Sequence, residues 1–288
     1  MESPRPAGVT DVHIHIQPWE HLRPGVDRML RESRAGDDLH LIERCQADPG
    51  ALLAEMDRCG VARAGLINYT SRLMGFGEDV NDWVVAYVRG RTDRLIAFGC
   101  PDPARTGDVS GRIEALAGAG LRGIKIHPPH MEFSPNAYTA EPEHPLAKIY
   151  ETAQRLGLPV MFHTGTSAFP GARSRLGDPM LVDDVAVDFP EMKIILAHAG
   201  RPLWPEASFF LARRHPNVWL DLSGIPARRI PQLLPRLDVI GTKVLYGSDW
   251  PGPGVPSMEA CLEGFWSLAL PEKLKTALFV ENSRAVFR

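Results

Sequence analysis

Eight short apolar runs recur along the chain, and the segments between several of them carry helical periodicity. The runs read VTDVHIHI (9–16), ARAGLINY (62–69), RLIAFGC (94–100), RGIKIHP (122–128), LPVMFHTG (158–165), MKIILAHAG (192–200), NVWLDLSG (217–224) and TKVLYGSDW (242–250). Their length and their richness in Val, Ile and Leu suit strands buried on both faces, as in a parallel sheet. PGALLAEMDRCG (49–60), DVNDWVVAYVRGRTDR (79–94) and PLAKIYETAQRLG (145–157) read as amphipathic helices. ARRIPQLLPRL (227–237) is a weaker one, interrupted by Pro231 and Pro235. Eight strands alternating with helices in 288 residues predict a (β/α)8 barrel, with an open doubly wound sheet as the competing architecture. No linker or composition break divides the chain, so residues 1–288 are expected to form a single domain. The connections after strands one, four and five (17–49, 128–145 and 164–179) are long. They are expected to be loops around the C-terminal face of the barrel.

The polar residues that end these runs carry more information than the runs themselves. They are His13 and His15, Asn68, Cys100, His127, His163, His198, Asp221 and Asp249. Five of the chain's 10 histidines fall at such positions, where the active sites of this barrel type assemble. On the first strand, Asp11, His13 and His15 alternate and therefore share one face. Any one of these histidines is more simply a hydrogen-bonded core residue. The set, converging from separate strands, points to a metal site.

Composition narrows the classes. A formal net charge of −3 gives no electrostatic reason to expect nucleic acid or an anionic membrane as partner. The opening MESPRPAG lacks the apolar core of a signal peptide, and no apolar run approaches a membrane span. Cys45, Cys59, Cys100 and Cys261 are scattered without a C-x-x-C pair, which fits a reducing cytoplasm and leaves histidine to supply any soft ligand. GAGLRG (118–123) matches G-x-G-x-x-G, but it follows a helix and precedes a strand, the reverse of a dinucleotide fingerprint. Glycine capping of a helix end accounts for it. No G-x-S-x-G elbow, phosphate-binding loop, H-E-x-x-H or zinc-deaminase motif is present.

Taken in order, D-V-H-I-H, F-H-T-G, L-A-H-A-G and Y-G-S-D-W-P near the ends of strands one, five, six and eight resemble the amidohydrolase superfamily. The resemblance is nearest to the amidohydrolase-related branch of (β/α)8 metal-dependent hydrolases and decarboxylases, and runs from Asp11 to the closing VENSRAVF. It implies that His13, His15, His163 and Asp249 bind one divalent ion, zinc or manganese. His198 would stand beside the metal-bound water or substrate, without necessarily being a ligand. Such a cage leaves room for a water, whose pKa the ion lowers to about 7. Asp249 would accept a proton and His198 would donate to the developing oxyanion or leaving group.

Lys125 matches in type the carboxylated lysine that bridges two metals in binuclear members of the superfamily, but it lies inside its run. A buried lysine paired with an acid is the simpler reading. His127, on the same face, would touch substrate or cap the strand. Arg72, Arg173, Arg175 and Arg201, with Trp19, Tyr69, Phe76 and Trp250, are expected on the rim, where arginines hold carboxylates and aromatics stack on rings. The reaction expected is hydrolysis of an ester, lactone or amide bond of a small carboxylated molecule. Non-oxidative decarboxylation at the same site is the alternative, and a non-catalytic ligand- or partner-binding barrel is the rival of another class. A homodimer is compatible with the family, though no segment identifies its interface.

Overall fold

The computed structural model describes residues 6–34 and 36–287. Eight strands, β1 (Val9–Ile14), β2 (Val61–Ile67), β3 (Leu95–Gly99), β4 (Leu121–Ile126), β5 (Val160–His163), β6 (Ile194–Ala197), β7 (Val218–Asp221) and β8 (Val244–Leu245), pair in sequence order. Every pairing from β1–β2 to β7–β8 is parallel. The barrel closes between the chain beyond β8 and β1. There Val12 N–H donates to Tyr246 O (2.9 Å), Asp249 N–H to His13 O (2.8 Å) and His15 N–H to Trp250 O (2.7 Å). Each predicted run contains a strand, and the (β/α)8 architecture displaces the open-sheet alternative.

Local chemistry sets the flanking elements. Asp48 caps helix Pro49–Cys59 by accepting from Gly50 N–H, and Gly60 ends it with a left-handed φ of 79°. Helix Val109–Ala119 starts at Asp108 and ends at Gly120, directly before β4, so GAGLRG is a helix C-terminus as expected. Two predicted helices are shorter than their patterns. One stops at Tyr87, and ARRIPQLLPRL breaks into a 3-10 turn (Ala227–Arg229) and a single turn of helix (Ile230–Leu233) beside Pro231. Among the described residues, no helix is long and apolar enough to cross a membrane.

The connection after β1 corrects the expectation of a loop. It folds into a 3-10 turn (Trp19–His21) and two helices (Pro24–Glu32 and Gly36–Ala47). Short apolar stripes mark these helices, Val26, Met29 and Leu30 on the first and Leu39, Ile42 and Cys45 on the second, with Leu30, Ile42 and Cys45 buried. Arg31 fastens the pair, bonding to Asp27 one turn earlier (2.7 Å) and to Glu43 on the second helix (2.5 Å). The connections after β4 and β5 are closer to expectation, holding only single turns of helix (Pro128–Met131, Ala137–Ala140) and short 3-10 turns (Ser174–Gly177, Pro179–Val182).

Gly247 shows how tightly the C-terminal end of the barrel is packed. A Cβ there would lie 2.6 Å from Asp221 Oδ1, 2.8 Å from Ser223 Cβ and 2.9 Å from His13 Cβ. Gly247→Ala is therefore expected to cost about 1–3 kcal/mol by overpacking, read as a lower midpoint in urea denaturation.

Candidate active site

β1 and the turn after β8 bring three ligand-type atoms together. His13 Nε2 lies 3.3 Å from His15 Nε2, His15 Nε2 lies 3.1 Å from Asp249 Oδ1, and His13 Nε2 lies 3.5 Å from Asp249 Oδ1. A tetrahedral ion with bonds of about 2.1 Å holds its ligands about 3.4 Å apart, so these residues fit a divalent ion. The ring of His13 is oriented from behind. Its Nδ1 is 2.6 Å from Asp221 Oδ2, and that carboxylate is itself held by Ser223 Oγ–H (2.7 Å) and Ser223 N–H (2.8 Å). With Nδ1 engaged by a carboxylate, Nε2 presents its lone pair to the centre.

His198 stands beside this triad. His13, His198 and Asp249 offer ligand atoms that all lie within 4.8 Å of one another. Nδ1 of His198 is 3.0 Å from Ser223 O, and a carbonyl only accepts, so Nδ1 carries the hydrogen and Nε2 is bare. His163 packs edge-on against His198 (centroids 4.7 Å) and stacks on His127 (3.8 Å). Its Nε2 is buried with no hydrogen-bond partner.

The turns that carry these groups adopt backbone conformations rare for residues with side chains. His198, Ala199 and Asp249 have φ of 63°, 42° and 68°, a left-handed region that costs non-glycine residues of order 1 kcal/mol or more and is concentrated at functional sites. Gly224 is needed for a different reason. A Cβ there would fall 2.5 Å from both Asp249 Oδ2 and Arg201 Nη2. Its absence lets Arg201 reach within 3.4 Å of Asp249 while Arg201 Nε donates to Gly224 O (2.7 Å).

Charge is distributed so that the imidazoles stay neutral. Burial, reinforced by Lys125 and neighbouring rings, holds His13, His127 and His163 well below the ordinary histidine range. For His198 burial and then Arg201 do the same. Neutral imidazole is the form that binds metal. Burial would raise the Asp249 carboxyl, but the hydrogen bond with His15, the neighbouring imidazoles and the Arg201 guanidinium outweigh it and hold it below its usual value. Burial lowers Lys125 to about 8 against the pull of Asp221 and Asp249. Asp11, which shares the face of His13, has a structural task. Its Oδ1 accepts from His13 N–H and Ser248 N–H, and burial raises it to about 7.

A cavity of about 330 Å³ opens onto this centre, lined by His15, Trp19, Tyr69, Lys125, His127, His163, His198, Arg201 and Asp249 among others. Lys125 feels the charges of Asp221 and Asp249, the acids of the simpler reading, but its buried Nζ makes no hydrogen bond to either or to any other group among the described residues. Of the expected rim residues, Arg201, Trp19 and Tyr69 line the cavity. Arg72 and Phe76 line a separate one of about 410 Å³ instead, and Trp250 is fully buried. Arg173 and Arg175 line neither. Sequence reasoning missed His130, Ser167 and Phe169, which also line the first cavity. The signal for His130 was its place three residues after His127, in one turn of helix opened by Pro128 and Pro129.

Barrel and site together define a (β/α)8 protein with a histidine- and aspartate-rich centre at the C-terminal ends of its strands. Residues 10–288 match the family model described as amidohydrolase. The chain belongs to the amidohydrolase family, an enzyme family. A search of the curated proteins finds no match. Similar solved structures include an uncharacterised TIM-barrel protein from Bordetella bronchiseptica, 17% identical, with 97% of this chain and 98% of that one covered and a TM-score of 0.75. A 5-carboxyvanillate decarboxylase from Sphingomonas paucimobilis is 18% identical, with 98% and 99% covered and a TM-score of 0.66. A probable 2-pyrone-4,6-dicarboxylic acid hydrolase from Acinetobacter baumannii, with citric acid bound, is 15% identical, with 97% and 99% covered and a TM-score of 0.68. At these identities the likeness concerns the fold.

Asp221 orients His13 without reaching the centre itself. Asp221→Asn is expected to weaken zinc affinity about 10- to 100-fold, measured by competition with a chromogenic chelator.

Proposed function

We propose that the chain is a metal-dependent hydrolase acting on an ester, lactone or amide bond of a small carboxylated substrate, with residues 1–288 as one catalytic domain. The observation that carries this reading is Asp249. Its carboxyl is held ionised, with Oδ1 toward His15 and His13 and Oδ2 toward Arg201 and His198. His13, His15, His163 and Asp249 would hold one divalent ion, zinc or manganese, which would supply Lewis acidity and lower the pKa of a water at the centre toward about 7. Asp249 accepts the proton released as the bond is attacked. His198 begins with Nε2 bare, and the proton it passes to the leaving group is the one Asp249 has taken from the water, so the exchange needs no other proton source.

Substrate charge is read from the cations. Lys125 Nζ lacks a partner, and Arg201 keeps donors beyond those directed to Gly224 and Asp249. Both line the cavity, and a substrate carboxylate satisfies them. The names of the similar proteins agree with this, since one acts on a carboxyvanillate and another is a probable hydrolase of a pyrone dicarboxylic acid. The first of these names is also what favours decarboxylation as the second reading.

The test combines metal content with product. Protein purified without chelators is expected to hold about one equivalent of zinc or manganese by elemental mass spectrometry, and the His13→Ala/His15→Ala variant none. Incubation with 2-pyrone-4,6-dicarboxylate and 5-carboxyvanillate separates the reactions. Acid release in a pH-stat, abolished in the double variant, supports hydrolysis. Release of CO2 without net hydrolysis moves the assignment to a decarboxylase. Failure to take up Zn²⁺ or Mn²⁺ on reconstitution overturns the metal-dependent reading.

A further inference from the structure

We infer that Ser167 is a dedicated hydrogen-bond donor to an acceptor oxygen of the substrate, and that Tyr69 and His130 fix this polarity from behind it. The inference rests on the cavity being the substrate site, as proposed above, and adds a residue that selects what enters it.

His130 is 1% exposed and is held on every side. Its ring stacks on His127 (centroids 3.5 Å, 14° between planes), Phe169 meets its face edge-on at 5.0 Å, and Ser71 Oγ–H donates to its carbonyl (3.1 Å). Each ring nitrogen faces one hydroxyl: Nδ1 lies 2.9 Å from Tyr69 Oη and Nε2 lies 2.8 Å from Ser167 Oγ. No carboxylate touches either nitrogen among the described residues, so the ring carries a single hydrogen.

The direction of this chain follows from counting donors and acceptors. Tyr69 is 2% exposed, and its hydroxyl has His130 as its hydrogen-bond partner among the described residues. A buried O–H left without an acceptor is costly, so Tyr69 donates to Nδ1. Nε2 then bears the hydrogen and donates to Ser167 Oγ. That oxygen also accepts from Phe169 N–H at 3.3 Å, which fills both of its lone pairs. The hydroxyl hydrogen of Ser167 meets no protein acceptor among the described residues, and Ser167 lines the cavity. The reversed chain, with Tyr69 donating outward, would put the open end at the more deeply buried hydroxyl.

Ser167 therefore offers a donor and no free lone pair. It selects a carbonyl, carboxylate or similar oxygen and disfavours an amine or ammonium at the same place. Lys125 and Arg201, which also only donate, line the same cavity. The substrate is thus an acid bearing a second acceptor oxygen.

The tautomer is tested on zinc-loaded protein labelled with 15N-histidine, with the His130 signals assigned by His130→Gln. Two-bond proton–nitrogen spectra are expected to show His130 protonated at Nε2 and bare at Nδ1. Tyr69→Phe is expected to move the Nδ1 resonance toward that of an unbonded imine nitrogen. Protonation at Nδ1, or an Nδ1 signal indifferent to Tyr69→Phe, overturns the inference. Selectivity is tested by calorimetric titration of isophthalate and 3-aminobenzoate, acids that differ in having an acceptor or a donor at the second position. Ser167→Ala is expected to reduce the preference for isophthalate about tenfold, the factor that corresponds to about 1.4 kcal/mol, chiefly through weaker isophthalate binding. An unchanged preference overturns the inference. Loss of acid release with the Nε2–H tautomer intact strikes the hydrolase reading alone. The Nδ1–H tautomer in a working hydrolase strikes only this one.

Discussion

The contact between His13 Nδ1 and Asp221 Oδ2, 2.6 Å long, joins β1 to β7 at the end of the barrel where both strands present polar side chains inward. Both residues are wholly buried. An isolated carboxylate there would be expensive, and its pairing with an imidazole N–H and two donors from Ser223 is what makes burial tolerable. The packing is arranged around this pair. Gly247 leaves the space it occupies, and Ser223 holds Asp221 with its hydroxyl and its N–H while its carbonyl fixes the tautomer of His198. Breaking the pair would free the ring of His13 and remove the reason for Nε2 to face His15 and Asp249.

Some buried polar groups outside the cavity spend their hydrogen bonds on holding loops in place. The Asn217 side chain donates to the carbonyls of Ala186, Phe189 and Met192, and Asn282 to those of Gly241 and Val244. These amides stitch loops to strands, and their donors are used within the protein. Lys125 Nζ, His127 Nδ1 and His163 Nε2 have no hydrogen-bond partner among the described residues. An unsatisfied buried polar group costs about 1–3 kcal/mol; such atoms occur elsewhere too, as at Arg63 Nε and Trp219 Nε1, but these three share one cavity wall. A cation ligated by imidazole and an anion held by ammonium would satisfy the same atoms.

The fold was legible because a parallel barrel buries both faces of every strand, which writes eight continuous apolar runs into the sequence. The site was legible to the extent that its residues sit at the ends of those runs. Position marked nine run-end residues, the family resemblance selected His13, His15, His163, His198 and Asp249 from them, and all of these but His163 are within hydrogen-bonding or ligand distance of another member. What position could not show is pairing. The His13–Asp221 contact spans 208 residues, and no local pattern distinguishes Asp221 as an orienting group from Asp221 as a strand cap. The same holds for Arg201 and Arg72, equivalent as exposed cations in sequence. Only the turn through Gly224 brings the first to Asp249, whereas the second lines another cavity. The helices after β1 were missed although Val26, Met29 and Leu30, then Leu39, Ile42 and Cys45, recur at helical spacing; the stripes are short, and the polar residues around them made the segment read as a long loop.

Backbone strain at the site has the same logic as the unpaired atoms. A left-handed residue with a side chain is held there only if its surroundings over-determine it. For Asp249 the restraints are visible. Its N–H is bound to His13 O, its carbonyl accepts from Gly252 N–H, and its carboxylate is shared between His15 and Arg201. For His198 they are the Ser223 carbonyl on its ring and Arg201 N–H on its own carbonyl. In both cases the strained residue follows the end of a barrel strand, and its side chain lines the cavity. The two residues assigned to proton transfer are thus the two that the backbone is bent to deliver. The 3.9 Å approach of Asp249 Oδ2 to His198 is to Nδ1, the nitrogen engaged by Ser223 O, so it holds the two side chains together and leaves Nε2 free for the proton.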